Sequence, residues 1–177
     1  NCARKESRDT APAASLEAGG DGSLEEILER EGDKVAAVII EPKLQGAGGM
    51  IVWPSASLVE IRDLCDRHGT ILIADEVFTG FGRTGPLFAC EHGPIVPDII
   101  CLSKALTAGY MPLAATLSTD KIYDSFLSED RGKTFFHGHS YTANALACAI
   151  ALENLDIFEE EKILPRIAEI EELFSQR

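Results

Sequence analysis

Short apolar runs rich in β-branched residues alternate along this chain with stretches of helical period, and that alternation constrains its fold more than any other feature. Residues 35–40, 70–74, 97–102 and 113–118 are each too short for a stable helix and apolar enough for strands covered on both faces. Helical patterns lie between and around them. Ser23 with Glu26 three residues on gives a capping box for a helix running to about Glu31. Leu58, Ile61, Leu64 and Cys65 recur at helical spacing, with Ser55 or Ser57 as the cap and Gly69 as the stop. Thr119 or Asp120 starts a further helix to about Leu127. Residues 144–158 carry a broad apolar face of Leu146, Ala149, Ile150, Leu152 and Leu155, and a final amphipathic helix begins near Leu164. Strands alternating with helices predict the α/β class, a mostly parallel sheet with flanking helices.

Composition removes several functions. The chain has 177 residues, 45% hydrophobic and 25% charged, enough for one sizeable core. A formal charge of −13 opposes nucleic acid and anionic membrane, both of which attract basic surfaces, so neither is expected as a partner. No apolar stretch reaches the length of a membrane span, and no signal-peptide core opens the chain. The five cysteines lack C-x-x-C or zinc-type spacing and, being odd in number, cannot all pair within the chain. A reducing compartment, the cytoplasm, is the expectation. Cys101 and Cys148 sit in apolar runs and are expected as small core residues. Residues 1–22 form a polar lead, read as a linker, a surface loop or the torn end of a longer protein.

Two of the apolar runs end in groups that can do chemistry together. The run 70–74 is followed by Asp75, and the run 97–102 delivers Ser103 and Lys104. In open α/β sheets ligands sit beyond the carboxyl ends of the strands, where an acid and an amine could face one pocket. A lysine amine condenses with an aldehyde cofactor, and such enzymes pair that lysine with an acid on the cofactor's ring nitrogen. From spacing alone, the Asp is equally a turn or helix-cap residue and the Lys a surface charge.

Longer motifs decide between these readings. Asp75-Glu76-Val77, then Thr79-Gly80-Phe81-Gly82-Arg83-Thr84-Gly85, then Ser103-Lys104-Ala105-Leu106 follow one another in the order that resembles the class III aminotransferases, a fold-type-I family dependent on pyridoxal 5'-phosphate. Within that class, residues 41–50, 87–92 and 136–144 look most like the members of biotin synthesis, and the resemblance spans about residues 34–160. Other class III ω-aminotransferases, or a non-catalytic piece supplying only structure, stand as alternatives. The resemblance implies a pyridoxal phosphate-binding large domain over 23–160, a helix at 161–177 leading towards a further domain, and a small-molecule amino donor and keto acceptor. The donor would be S-adenosylmethionine or lysine.

It also implies roles. Lys104 would hold the cofactor aldehyde and move the proton, and Asp75 would bind the ring nitrogen. Val77 would pack on the ring face, although a plain core valine fits the sequence equally. Residues 136–144 would lie at a homodimer interface, with Ser140, beside His139, donating its hydroxyl to the phosphate held by the other subunit. Gly138, Arg83 and Glu41 would border the substrate; Arg83 can also be read as a surface residue ending a turn, and Glu41 before Pro42 as satisfying a turn. A metal at His137 and His139 is not expected, since no Cys, Asp or Glu stands nearby at ligand spacing. Phe78 departs from the Gln common in the class, which speaks against the ornithine- and GABA-type members.

Overall fold

In the computed structural model of the chain, residues 17–18 and 22–176 are described. Strands β1 (Glu17–Ala18) and β2 (Gly22–Ser23) form a small antiparallel pair ahead of helix α1 (Leu24–Glu31). The helix starts where the sequence places it. Ser23 Oγ accepts from the Glu26 amide at 3.3 Å, and the Ser23 amide donates to Glu26 Oε2 at 2.8 Å, so two otherwise unpaired N–H groups are satisfied reciprocally. Strand β3 (Ala37–Ile40), the hairpin of β4 (Leu44–Gln45) and β5 (Ile51–Val52), helix α2 (Ser55–His68) and strand β6 (Ile71–Asp75) follow. Then come β7 (Ile99–Leu102), β8 (Ala115–Ser118), α3 (Asp120–Asp124), α4 (Ala145–Glu160) and α5 (Ile163–Ser175).

The four runs predicted as strands make one sheet in the order β3-β6-β7-β8. Its first three strands are parallel, and β8 runs antiparallel to β7. Register places Val38, Ile40, Leu72, Ala74, Ile100 and Leu102 on one face, because paired residues in neighbouring strands point the same way. Helix α2 covers part of that face with Leu58, Ile61 and Cys65 against Leu72 and Ala74. A second cluster of Phe81, Leu102, Leu106 and Ala151 joins the same face to α4. The opposite face, with Ile39, Ile73 and Ile99, is half-buried or exposed among the described residues, so the helices described here lie on one side only.

Several local expectations change. The first strand begins two residues later than predicted, because residues Gly32–Lys34 form a 3₁₀ turn whose carbonyl at Gly32 accepts from Val35. Neither Ser55 nor Ser57 caps α2. Pro54 takes the N-cap position without a side-chain bond, and Ser57 is buried in the first turn. Gly69 ends the helix in the left-handed region, as its missing Cβ allows, with its amide donating to Cys65 and Asp66 carbonyls. Helix α3 stops at Asp124, short of Leu127, and Phe126 and Leu127 are exposed. The predicted apolar face of α4 is not the face that packs. Ala147, Ala151 and Asn154 are buried, while Leu146 and Leu152 are 63% and 64% exposed, because small side chains let the helix approach the turn after β7 closely. Among the described residues, Cys65 and Cys90 are the buried thiols; Cys101 and Cys148 are only half-buried. No helix among the described residues is long and apolar enough to cross a membrane.

Candidate active site

Parallel pairing of β6 with β7 sets Asp75 beside Cys101, so the chain leaving β7 delivers Lys104 next to the end of β6. The ladder continues one step further, with the Glu76 amide donating to the Cys101 carbonyl at 2.9 Å. A cleft of about 350 Å³ opens there, lined by Glu41, Gly46, Ala47, Met50, Asp75, Val77, Phe78 and Lys104. Four of the residues singled out in the sequence therefore meet in one place: Glu41, Asp75, Val77 and Lys104. Asp75 Oδ1 accepts from the Val77 amide at 3.1 Å, which fixes the carboxylate at the strand end and turns Val77 into the same cleft. Glu41 does satisfy a turn, accepting from the Gly46 amide at 2.8 Å, and borders the cleft as well.

Lys104 has φ of +49°, the left-handed region that a residue with a Cβ rarely adopts without being held there. It opens a 3₁₀ turn, Lys104–Thr107, that ends in Ala108, again left-handed at +49°. Ser103 Oγ donates to the Leu113 carbonyl at 2.8 Å and Thr107 Oγ1 to that of Met111 at 2.6 Å, so the turn is tied to the segment that returns as β8.

Phe78, noted in the sequence only as a departure, proves to be a wall of the cleft. Lys104 Nζ lies 5.1 Å from its ring centroid, and the Arg83 guanidinium carbon 6.0 Å from the same ring. Arg83 is itself exposed and stands outside the cleft lining. The ring sits so close to Gly46 that a Cβ there would come within 2.8 Å of Phe78 Cδ1, which explains the glycine.

Glu76 is the residue that sequence reasoning missed. Its side chain is fully buried and accepts three hydrogen bonds, from Thr79 Oγ1 at 2.6 Å, the Ala89 amide at 3.0 Å and the Cys90 amide at 2.8 Å. One carboxylate thus pins the loop bearing Phe78 and Arg83 to the strand that ends in Asp75. Burial, reinforced by that neighbouring carboxylate, pushes the Cys90 thiol far above its ordinary range, so Cys90 is an inert packing group. The readable signal was an acid at a strand end followed three residues on by a hydroxyl.

The remaining predicted residues are not gathered into the cleft. Gly138, His139 and Ser140 lie in a wholly exposed stretch. His139 is held by local bonds, its amide donating to Thr142 Oγ1 at 2.9 Å and its Nδ1 accepting from the Tyr141 amide at 3.1 Å. His137 stacks on Phe135 with ring centroids 5.4 Å apart.

The cleft's donor set suits a flat heteroaromatic aldehyde. It offers an amine for the aldehyde carbon, a carboxylate for a protonated ring nitrogen, and an apolar side chain at Val77 for the ring face. Comparison with known proteins points the same way. The family described as aminotransferase class-III matches residues 4–177. A relative from Geobacter sulfurreducens, adenosylmethionine-8-amino-7-oxononanoate aminotransferase, is 55% identical over 161 residues, which is 90% of this chain and 35% of the relative. The crystal structure of the enzyme of that name from Methanocaldococcus jannaschii superposes with a TM-score of 0.81 at 42% identity, covering 87% of this chain and 36% of that one. An amine transaminase from an uncultivated Pseudomonas species, solved in its PLP-bound form, gives 0.74 at 45% identity, covering 79% of this chain and 32% of that one. The chain therefore spans about a third of the length of the proteins it resembles.

Proposed function

The chain belongs to the class III aminotransferases, and from that premise we propose that the complete protein containing it moves an amino group from a donor amine to 8-amino-7-oxononanoate, giving 7,8-diaminononanoate, with S-adenosylmethionine or lysine as donor. Residues 23–160 would form part of its large, cofactor-binding domain, with residues 161–177 leading to a further domain. The observation that carries this reading is the meeting of Asp75 and Lys104 in one cleft at the ends of adjacent parallel strands.

Class III aminotransferases depend on pyridoxal phosphate, whose ring, when bound, withdraws the electron pair left on the substrate carbon after its proton departs. Every other part of the reaction falls to side chains. Lys104 would hold the cofactor through its Nζ, and its amine, when free, would take the proton from the substrate carbon. Asp75, which lines the cleft, would hold a protonated ring nitrogen and keep it charged. Val77, in the same cleft lining, would cover one ring face and exclude water from it. Glu41 and Arg83 border the substrate side, and Gly138 reaches the same side through its backbone. His139 and Ser140 would serve the phosphate of a second copy, in a homodimer with residues 136–144 at the interface.

The test is direct. The full-length protein is loaded with pyridoxal phosphate, reduced with borohydride and peptide-mapped; label on Lys104 is expected, and label on Lys43 or Lys121 would overturn the assignment. Turnover of 8-amino-7-oxononanoate is then compared with that of simple amines. The amine transaminase at 45% identity favours a second reading, a broader ω-aminotransferase, which turnover of amines without turnover of the keto acid would establish.

A further inference from the structure

Lys104 is held in an unfavourable backbone conformation, and something outside its own loop must keep it there. The bonds from Ser103 to Leu113 and from Thr107 to Met111 are local, spanning ten and four residues. They close the turn upon its own return segment. They do not fix it against the helical layer. The contacts that do so come from α4, where Ala151 packs in one cluster with Leu106. Asn154, only 8% exposed, donates from Nδ2 to the carbonyls of Ala105 at 2.9 Å and Leu106 at 3.2 Å, the two residues that follow the lysine. Two carbonyl oxygens can be met only by the amide nitrogen, so these partners set the orientation of the side chain. Ala147 and Ala151, on the same face of α4, provide the close approach that brings Asn154 within reach.

We propose that Asn154 is a positioning residue for Lys104: its amide clamps the Lys104–Thr107 turn to α4 and so holds the lysine in its left-handed conformation at the mouth of the cleft. This rests on the aminotransferase reading above. Two left-handed residues with a Cβ, Lys104 and Ala108, bracket the turn, and conformations of this kind persist only where the surroundings over-determine them. Without the amide, the buried Leu106 carbonyl would lose its side-chain donor, that of Ala105 would keep only the Ala108 amide, and the turn would relax towards ordinary backbone angles. The lysine amine would then move relative to Asp75, and small displacements of a reacting group are expensive in rate.

The variant that isolates this role is Asn154→Asp, equal in size but presenting an acceptor to two acceptors. It is made in the full-length protein. In the cofactor-free protein, hydrogen exchange at residues 104–108 should quicken, while β6 and β7 exchange as in the parent. In the loaded protein, the visible circular dichroism per bound cofactor should shrink. kcat should fall by about tenfold to a hundredfold with KM for the donor changed far less, the pattern expected when a reacting group is misplaced by about 1 Å. A variant that melts lower yet keeps parental exchange at 104–108, parental dichroism and parental kcat shows a merely structural asparagine and overturns the proposal. Should Asn154→Asp not fold, Asn154→Ser decides by the same measurements. Its hydroxyl donor is shorter by one atom, so a kcat loss of about tenfold supports the clamp and parental values overturn it. A parent protein that never acquires the visible cofactor band would instead strike at the aminotransferase reading.

Discussion

The strand-end cleft and the stretch between α3 and α4 hold the two parts of the predicted site, and they are built in opposite ways. Around the cleft, three anchors reach far along the sequence. Asp75 is set by pairing with β7, the loop after it by the buried Glu76, and the turn after Lys104 by Asn154 on α4. From Lys133 to Ala143 every residue is exposed, and the bonds there reach only two or three residues along the chain. Aromatic residues in this stretch stand out into solvent, Phe136 75% and Tyr141 76% exposed. A cleft anchored through the sheet is a property of this chain by itself. A stretch of exposed aromatics with only local bonds takes no hydrogen-bonded anchor from the rest of the described residues.

The largest effect should come from breaking the cleft side at its centre. Lys104→Ala in the full-length protein removes the amine proposed to hold the cofactor and move the proton, and kcat should drop by about 10⁴-fold or more. Steady-state rates measure this. A fall of less than tenfold would mean that the two strand ends meet for structural reasons alone.

Next comes the anchor. Glu76→Gln leaves one acceptor where two amides and a hydroxyl need more, and a buried N–H without a partner costs about 1 to 3 kcal/mol. A loss of about 3 kcal/mol is expected, read from the urea midpoint of the full-length protein. By contrast, His139→Ala should change stability by less than about 0.5 kcal/mol, as surface substitutions do. Equal losses would erase the distinction between the two regions.

A third effect lies at the opposite end of the same strands. Asp98 Oδ2 accepts from the Leu72 amide at 2.8 Å and from Arg62 at 2.9 Å. Burial pushes its carboxyl up, but the Leu72 amide and the Arg62 guanidinium outweigh burial and hold it below the ordinary value. A depressed folded-state value means that stability from this group is fully present above about pH 4, the unfolded value, and is lost as pH falls through the folded one. Asp98→Asn should therefore lower stability by about 2 kcal/mol at neutral pH and flatten its decline in acid. Unfolding midpoints at pH 7 and in the acid range decide it.

How far the sequence could be read follows the same division. The strands, their order of chemistry and the pair Asp75 and Lys104 were legible because they depend on short apolar runs and a motif whose residues are neighbours in sequence. The second strand and second helix are examples, displaced by one residue at most from β6 or from the expected stop at Gly69. Glu76 was signalled only by a hydroxyl three residues on, and Asn154 not at all, because the amide partners of Glu76 lie 13 and 14 residues away and the carbonyl partners of Asn154 48 and 49, and no local pattern announces bonds of that reach. The apolar face of α4 was misjudged for a related reason. Leu146 and Leu152 have the hydrophobicity expected of a core, but Ala147 and Ala151 lie on the face that approaches the turn after β7, and packing distance overrode hydrophobicity.

The smallest effect tests the exposed side of the comparison. If residues 136–144 acquire their geometry only in a dimer, Ser140→Ala should leave the isolated fold untouched and weaken only what the dimer builds. Its hydroxyl, donated to a phosphate held by the second copy, is worth about 1.5 kcal/mol, close to a tenfold loss of pyridoxal phosphate affinity. Because a ligand that binds the assembled form stabilises it by mass action, added cofactor should shift the parent towards dimer more strongly than it shifts the variant. Borohydride should still place the label on Lys104 in both, since the amine and Asp75 are held from within the chain. Sedimentation at matched concentrations, with and without cofactor, measures the shift. Parental affinity and parental dimerisation in Ser140→Ala would make Ser140 an ordinary loop residue, and the exposed stretch would then need an occupant other than a cofactor shared between two copies.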